Sequence, residues 1–100
     1  MNYWNKEIET IGRDRLEAFQ AERLQETLAA AFKTEFYRKR FASIGIGSPS
    51  DVKGLEGFRK LPFTSKDDLR VGYPYGLLAE PLENVVRLHA SSGTTGTPTV

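Results

Sequence analysis

Residues 91–98, Ser-Ser-Gly-Thr-Thr-Gly-Thr-Pro, carry the most legible chemistry in this chain. Seven of the eight are Ser, Thr or Gly. Gly93 and Gly96 allow positive φ and let backbone N–H groups approach a ligand closely. The hydroxyls of Ser91, Ser92, Thr94, Thr95 and Thr97 add donors at the same place. A cluster of this kind suits phosphate. It is not a Walker loop, because the glycines are only three apart and Thr97, not Lys, follows the second. Pro98 also biases Thr97 toward extended backbone, against an immediate helix start. The G-x-G-x-x-G dinucleotide fingerprint is absent. Taken by itself, a short Ser/Thr/Gly loop is more often a plain turn. With four residues after Gly96, a nucleotide site here is expected to be incomplete within the chain.

Other side chains invite a chemical reading and yield a plainer one. His89, the only histidine, could act as an acid–base group, but no partner carboxylate is evident, and a packing role in a strand is the better reading. Asp67 and Asp68 are neighbours, so on a helix they point about 100° apart and do not converge on a metal ion. They read as the acidic first turn of a capped helix, with Lys66 a surface charge. Arg38-Lys39-Arg40, with Lys33 nearby, reads as a solvated basic helix face. Tyr3, Trp4, Phe36, Tyr37, Tyr73 and Tyr75 are expected to be packing residues rather than an aromatic substrate pocket.

The elements that must position the loop follow from periodicity. From Asp14 to about Lys33, Leu16, Phe19, Leu24, Leu28 and Ala31 recur at helical spacing, with Glu17, Glu22, Arg23 and Glu26 mostly elsewhere. Thr34 is placed to cap a second helix, Glu35 to about Ser43. Gly45, Gly47 and Ser48-Pro49-Ser50 make a turn. A short helical turn is expected over Gly54 to Lys60, and another short helix after Thr64 or Ser65. Tyr73-Pro74-Tyr75-Gly76 breaks it. Leu77 to Asn84 reads as irregular, and Val85 to Ala90 as a β-strand feeding the loop.

Composition bounds the rest. The 100 residues carry 39% hydrophobic and 27% charged residues with a net charge of +1, ordinary values for one soluble domain. That balance gives no reason to expect nucleic acid or an anionic membrane as partner. The absence of cysteine excludes disulfides and thiolate metal sites and is compatible with a cytoplasmic location. No signal peptide or membrane span is evident.

Leu-Pro-Phe-Thr-Ser-Lys-Asp-Asp-Leu-Arg (61–70), Tyr-Pro-Tyr-Gly-Leu-Leu-Ala (73–79) and Val-Val-Arg-Leu-His-Ala-Ser-Ser-Gly-Thr-Thr-Gly (85–96) together resemble the phenylacetate–CoA ligase family, AMP-forming acyl-CoA ligases among the adenylate-forming enzymes. Phe36-Tyr37-Arg38-Lys39-Arg40-Phe41 is similar as well, so the likeness runs from about Leu16 to the end. It implies an α/β parent of the adenylate-forming fold. Within it, this chain is an N-terminal fragment, mainly α-helical with a terminal β-strand and loop. Residues 1–60 would form a helical N-terminal region and 61–100 the incomplete start of the large ATP-binding domain. Ser91, Ser92, Gly93, Thr94, Thr95, Gly96 and Thr97 would hold ATP phosphates. Mg²⁺ would accompany ATP, and coenzyme A and an aryl acid would be co-substrates.

The resemblance also places catalytic residues and the acid pocket beyond Val100, so the chain alone is expected to be inactive. It assigns no metal ligand here. Family members often carry Lys where this chain has Thr97, which weakens the charge offered to phosphate. Relatives act on other aryl acids or on a deazaflavin coenzyme, and nothing before Val100 separates these. The apolar faces of helices 14–44 need cover, which makes a homodimer through them a further expectation. The rival reading is a helical interaction module whose Ser/Thr/Gly end is a flexible tail.

Overall fold

Residues 13–31 are dominated by Ala, Leu, Glu, Gln and Arg and contain neither Gly nor Pro, so they can hold an unbroken helix. A computed structural model describes residues 2–91 and 98–100. Its helices are α1 (Lys6–Glu9), α2 (Arg13–Ala31), α3 (Glu35–Ala42), α4 (Gly54–Phe58) and α5 (Lys66–Val71), with 3-10 turns at Pro49–Asp51 and Leu82–Asn84. On α2, Leu28 is buried and Leu16, Phe19, Leu24 and Ala31 are half-buried, whereas Glu17, Glu22, Arg23 and Glu26 face solvent. That is the division the spacing predicts.

The turn from α2 into α3 is built by one residue. Thr34 is only 4% exposed. Its Oγ1 donates to the Ala31 carbonyl at 2.7 Å and accepts the Tyr37 N–H at 3.2 Å, closing one helix and opening the next. Arg38 Nη1 donates to the Phe32 and Lys33 carbonyls at 3.2 and 3.4 Å, where α2 ends with unpaired acceptors. After α3, Gly45 takes φ +82°, and the Ile46 N–H returns to the Phe41 carbonyl at 2.9 Å. This reversal puts Ile46 beside α3 rather than beyond it.

The core lies between these helices. Leu28, Phe41, Ile46 and Val52 are buried, and Leu24, Ala31, Phe32, Tyr37 and Leu61 pack against them. The Phe41 ring sits 5.3 Å from Phe32 and 5.4 Å from Tyr37 in tilted contacts. Gln25 Nε2 donates to the Val52 carbonyl at 3.0 Å, fixing the 49–52 turn on α2. Tyr37 is therefore a packing residue, and Phe36 packs edge-on against it with ring centroids 4.9 Å apart, as expected. Trp4 is not: it is fully exposed, and Phe63 nearly so.

The second half is tied on by polar contacts. Ser65 and Asp68 form a capping box, with Ser65 Oγ accepting the Asp68 N–H at 3.2 Å and Asp68 Oδ2 accepting the Ser65 N–H at 2.7 Å. Beyond α5, the chain approaches itself so closely at Gly72 and Gly76 that a Cβ on Gly76 would lie 2.6 Å from the Gly72 carbonyl oxygen. The Tyr73–Pro74 peptide bond is cis.

The expected strand at 85–90 is not formed: among the described residues there is no strand. A strand exists only through partner strands, and among the described residues this segment has none. Val86 and Leu88, which the pattern assigns to a packed strand, are exposed. No helix among the described residues is long and apolar enough to cross a membrane.

Candidate functional site

The described residues on either side of the Ser/Thr/Gly loop are held together. The Ser91 N–H donates to the Thr99 carbonyl at 2.8 Å, and the Thr99 N–H donates to Ser91 Oγ at 3.0 Å. Two reciprocal bonds across eight residues form a neck. Ser92, Gly93, Thr94, Thr95, Gly96 and Thr97, the other residues expected to hold phosphate, lie outside the described residues. Ser91 has its N–H engaged and its Oγ accepting, so its hydroxyl proton is what it can still offer to an anion. Thr99, which sequence reasoning does not single out, is the residue that completes the neck. The signal was a hydroxyl residue on each flank of the glycines, too common a feature to weigh alone.

Next to the neck residues in the chain, His89 and Val100 belong to an open groove of about 290 Å³. Leu69 of α5, Leu77, Leu78, Leu82, Val85, Leu88 and Val100 give it a mainly apolar lining. Arg87 and His89 also line it. His89 is exposed rather than packed in a strand, because the strand expected to bury it is not formed. Of the aromatic residues considered, Tyr75 lines this groove and Tyr73 is exposed beside it. The groove is mainly apolar and meets the loop neck through His89 and Val100.

Lys33, Arg38 and Lys39 are exposed, as the solvated basic face expected from sequence requires, whereas Arg40 is half-buried. Lys39 pairs with Glu35 at 2.9 Å and Lys33 with Glu80 at 3.1 Å. Arg38 caps α2. Arg40 reaches across to α5, donating from Nη1 to Asp68 Oδ2 at 2.9 Å and from Nη2 to Asp68 Oδ1 at 3.1 Å. The same guanidinium donates to the Phe63 carbonyl at 3.1 Å and lies 4.5 Å from the Phe36 ring centroid. All four cations have intramolecular partners.

Asp67 turns instead to Arg70 at 3.1 Å, so the two adjacent carboxylates diverge as helix geometry requires. The Arg40 guanidinium first, and the Ser65 N–H second, hold the Asp68 carboxyl well below the usual carboxylate range. Lys39 likewise lowers Glu35, through its hydrogen bond and then its charge. Among the described residues no group of three or more Asp, Glu or His side chains is arranged to hold a metal ion.

No family model matches the chain. It is similar to three curated proteins named phenylacetate-coenzyme A ligase. The one from Thermus thermophilus is 47% identical over 98 residues, covering 97% of this chain and 22% of the relative. The one from Pseudomonas putida is 53% identical over 94 residues, 93% of this chain and 21% of the relative. The Escherichia coli protein is 49% identical over the same share of each. The chain thus spans about a fifth of the length of the curated relatives it matches. Identity this high over nearly the whole chain agrees with the likeness carried by 61–70, 73–79 and 85–96. The chain belongs to the phenylacetate–CoA ligase family.

Proposed function

We propose that this chain is part of a longer AMP-forming ligase that joins phenylacetate, or a related aryl acid, to coenzyme A, and that residues 91–97 hold the β- and γ-phosphates of its ATP. What carries the reading is the 47–53% identity to proteins of that name over 93–97% of the chain. The neck formed by Ser91 and Thr99 supports it, because closing a loop at its base lowers the ordering cost of binding a ligand there.

In this reading a carboxylate oxygen of the acid attacks the α-phosphorus of ATP. The bond from that phosphorus to the bridging oxygen breaks, and pyrophosphate leaves. The thiol of coenzyme A then attacks the acyl carbon, the carbon–oxygen bond to AMP breaks, and the thiol proton passes to solvent. Negative charge grows on the pyrophosphate during the first step, and oriented donors from 91–97 stabilise it there. Mg²⁺ adds neutralising charge to the phosphates when bound; none of the described side chains is assigned to it. Thr97 offers a neutral hydrogen bond where a lysine would offer full charge, so ATP is held less tightly than by a lysine-bearing loop.

The helical region 1–60 leads, in the same reading, into an ATP-binding α/β domain entered at about residue 61. Segment 85–90 becomes a strand when a neighbouring strand supplies its backbone partners. The residues that perform the chemistry and bind the acid lie after Val100, and the 100-residue chain alone is inactive. Product analysis of the longer protein with ATP, coenzyme A and phenylacetate tests this. Equal amounts of AMP, pyrophosphate and phenylacetyl thioester are expected, with none from the 100-residue chain. Release of ADP, or no thioester with any aryl acid from folded protein, would overturn it.

A further inference from the structure

Helix α5 contributes no residue to the buried core, yet its Leu69 lines the groove that His89 and Val100 also line. Apart from Leu69, the side chains that hold α5 to the rest of the chain are polar. The contacts that join it and its approach to α3 are polar: the two-pronged Arg40–Asp68 pair, Arg40 to the Phe63 carbonyl, and Tyr37 Oη to Thr64 Oγ1 at 2.8 Å. Arg40 and Asp68 side chains are 30% and 20% exposed, so water competes with this pair only in part. The fork fixes two oxygens of one carboxylate at once, and that carboxylate is also the N3 partner of the α5 capping box. Rotation of α5 about its start would break both.

We infer that Arg40 and Asp68 are positioning residues for the Ser91–Thr99 neck. They orient α5, whose Leu69, with the following Gly72, lines the groove that His89 and Val100 also line, and these two flank the Ser91–Thr99 neck in the chain. Neither Arg40 nor Asp68 is among the residues proposed to contact nucleotide. The role rests on the proposed ATP-binding reading of 91–97, but its physical half, the coupling of α3 to the neck, does not.

The test compares Asp68→Asn, Arg40→Lys and the double variant in the longer protein. Asp68→Asn keeps an acceptor for the capping box while removing the charge, and Arg40→Lys keeps the charge while removing the fork. Hydrogen–deuterium exchange is read on the peptide covering 85–100 and, as an internal control, on the peptide covering 41–52, which holds Phe41, Ile46 and Val52. Either variant is expected to speed exchange at 85–100 with the control unchanged, and the double variant to be no worse than the single ones.

In steady-state adenylation, the KM for ATP is expected to rise about three- to thirtyfold while that for phenylacetate stays put. Equal exchange at 85–100 in all variants would overturn the coupling whether or not the protein is a ligase. A lowered thermal midpoint with unchanged KM for ATP would reduce the pair to a structural tie. Absence of adenylation by the unsubstituted protein would strike the proposed function alone, leaving the exchange result to decide the coupling.

Discussion

Donors in the loop divide into those that shape it and those left for a ligand. Ser91 closes the neck with Thr99, and in the proposed function the hydroxyls of Thr94 and Thr95 are among those of 91–97 that meet phosphate. Thr94→Val or Thr95→Val removes one charge-assisted hydrogen bond, which is worth about 1.5–3 kcal/mol. Adenylation should fall roughly ten- to a hundredfold where that bond strengthens in the transition state. Initial rates at saturating acid check this. Thr97→Lys should act the other way, lowering the KM for ATP, and an unchanged or higher KM would mean that Thr97 does not face the phosphates.

Asp68 gives a residue-scale prediction of a different kind. Its folded-state carboxyl titrates below the ordinary aspartate value of about 3.9. The Arg40–Asp68 contribution is therefore complete above that value and is lost as pH falls through the lower folded-state one. Thermal midpoints should be insensitive to this pair from pH 8 to 5 and decline below about pH 4. In Asp68→Asn part of that acid decline should be missing. Identical acid limbs in the two proteins would refute the assignment.

Among the elements, local chemistry was legible and long-range partnership was not. Thr34 and Ser65 announce helix starts because a cap is satisfied within three residues of itself, and both caps form where expected. The apolar spacing of α2 likewise reports its own face. Arg40 and Asp68 are 28 residues apart, and no rule of spacing pairs them. Arg40 therefore looked like part of the solvated face that Lys33, Arg38 and Lys39 do form. The strand at 85–90 failed for a related reason: alternation marks a segment able to pair, and pairing needs a neighbour. The neck residue Thr99 carries no signal beyond its hydroxyl.

Substitutions at the two best-defined turns test the helical half. Thr34→Ala removes the cap shared by α2 and α3 and should cost about 1 kcal/mol. Gly45→Ala places a Cβ on backbone at φ +82° and should cost about 1–2 kcal/mol, through backbone strain rather than crowding. Chemical denaturation of each variant measures both, and a neutral Gly45→Ala would contradict the reversal that seats Ile46.

For the whole molecule, size is the informative quantity. Its accessible surface is 7846 Å², whereas a folded monomer of 11.2 kDa is expected to show about 5,700 Å². The radius of gyration is 16.8 Å, against about 13 Å for a compact chain of this length. The exposed Phe63, Val71, Val86 and Leu88 contribute to that excess. The 100-residue chain in isolation should therefore self-associate, and Val86→Lys should reduce that association in light scattering. A monodisperse monomer at high concentration would instead favour the self-sufficient interaction module.

The phosphate loop's place in an acid-activating enzyme is tested most directly by ATP–pyrophosphate exchange in the longer protein without coenzyme A. Label should pass from pyrophosphate into ATP only when phenylacetate or another aryl acid is present, and Thr94→Val or Thr95→Val should slow it. Folded protein that shows no exchange with any aryl acid, or exchange indifferent to the acid, would contradict the proposed function.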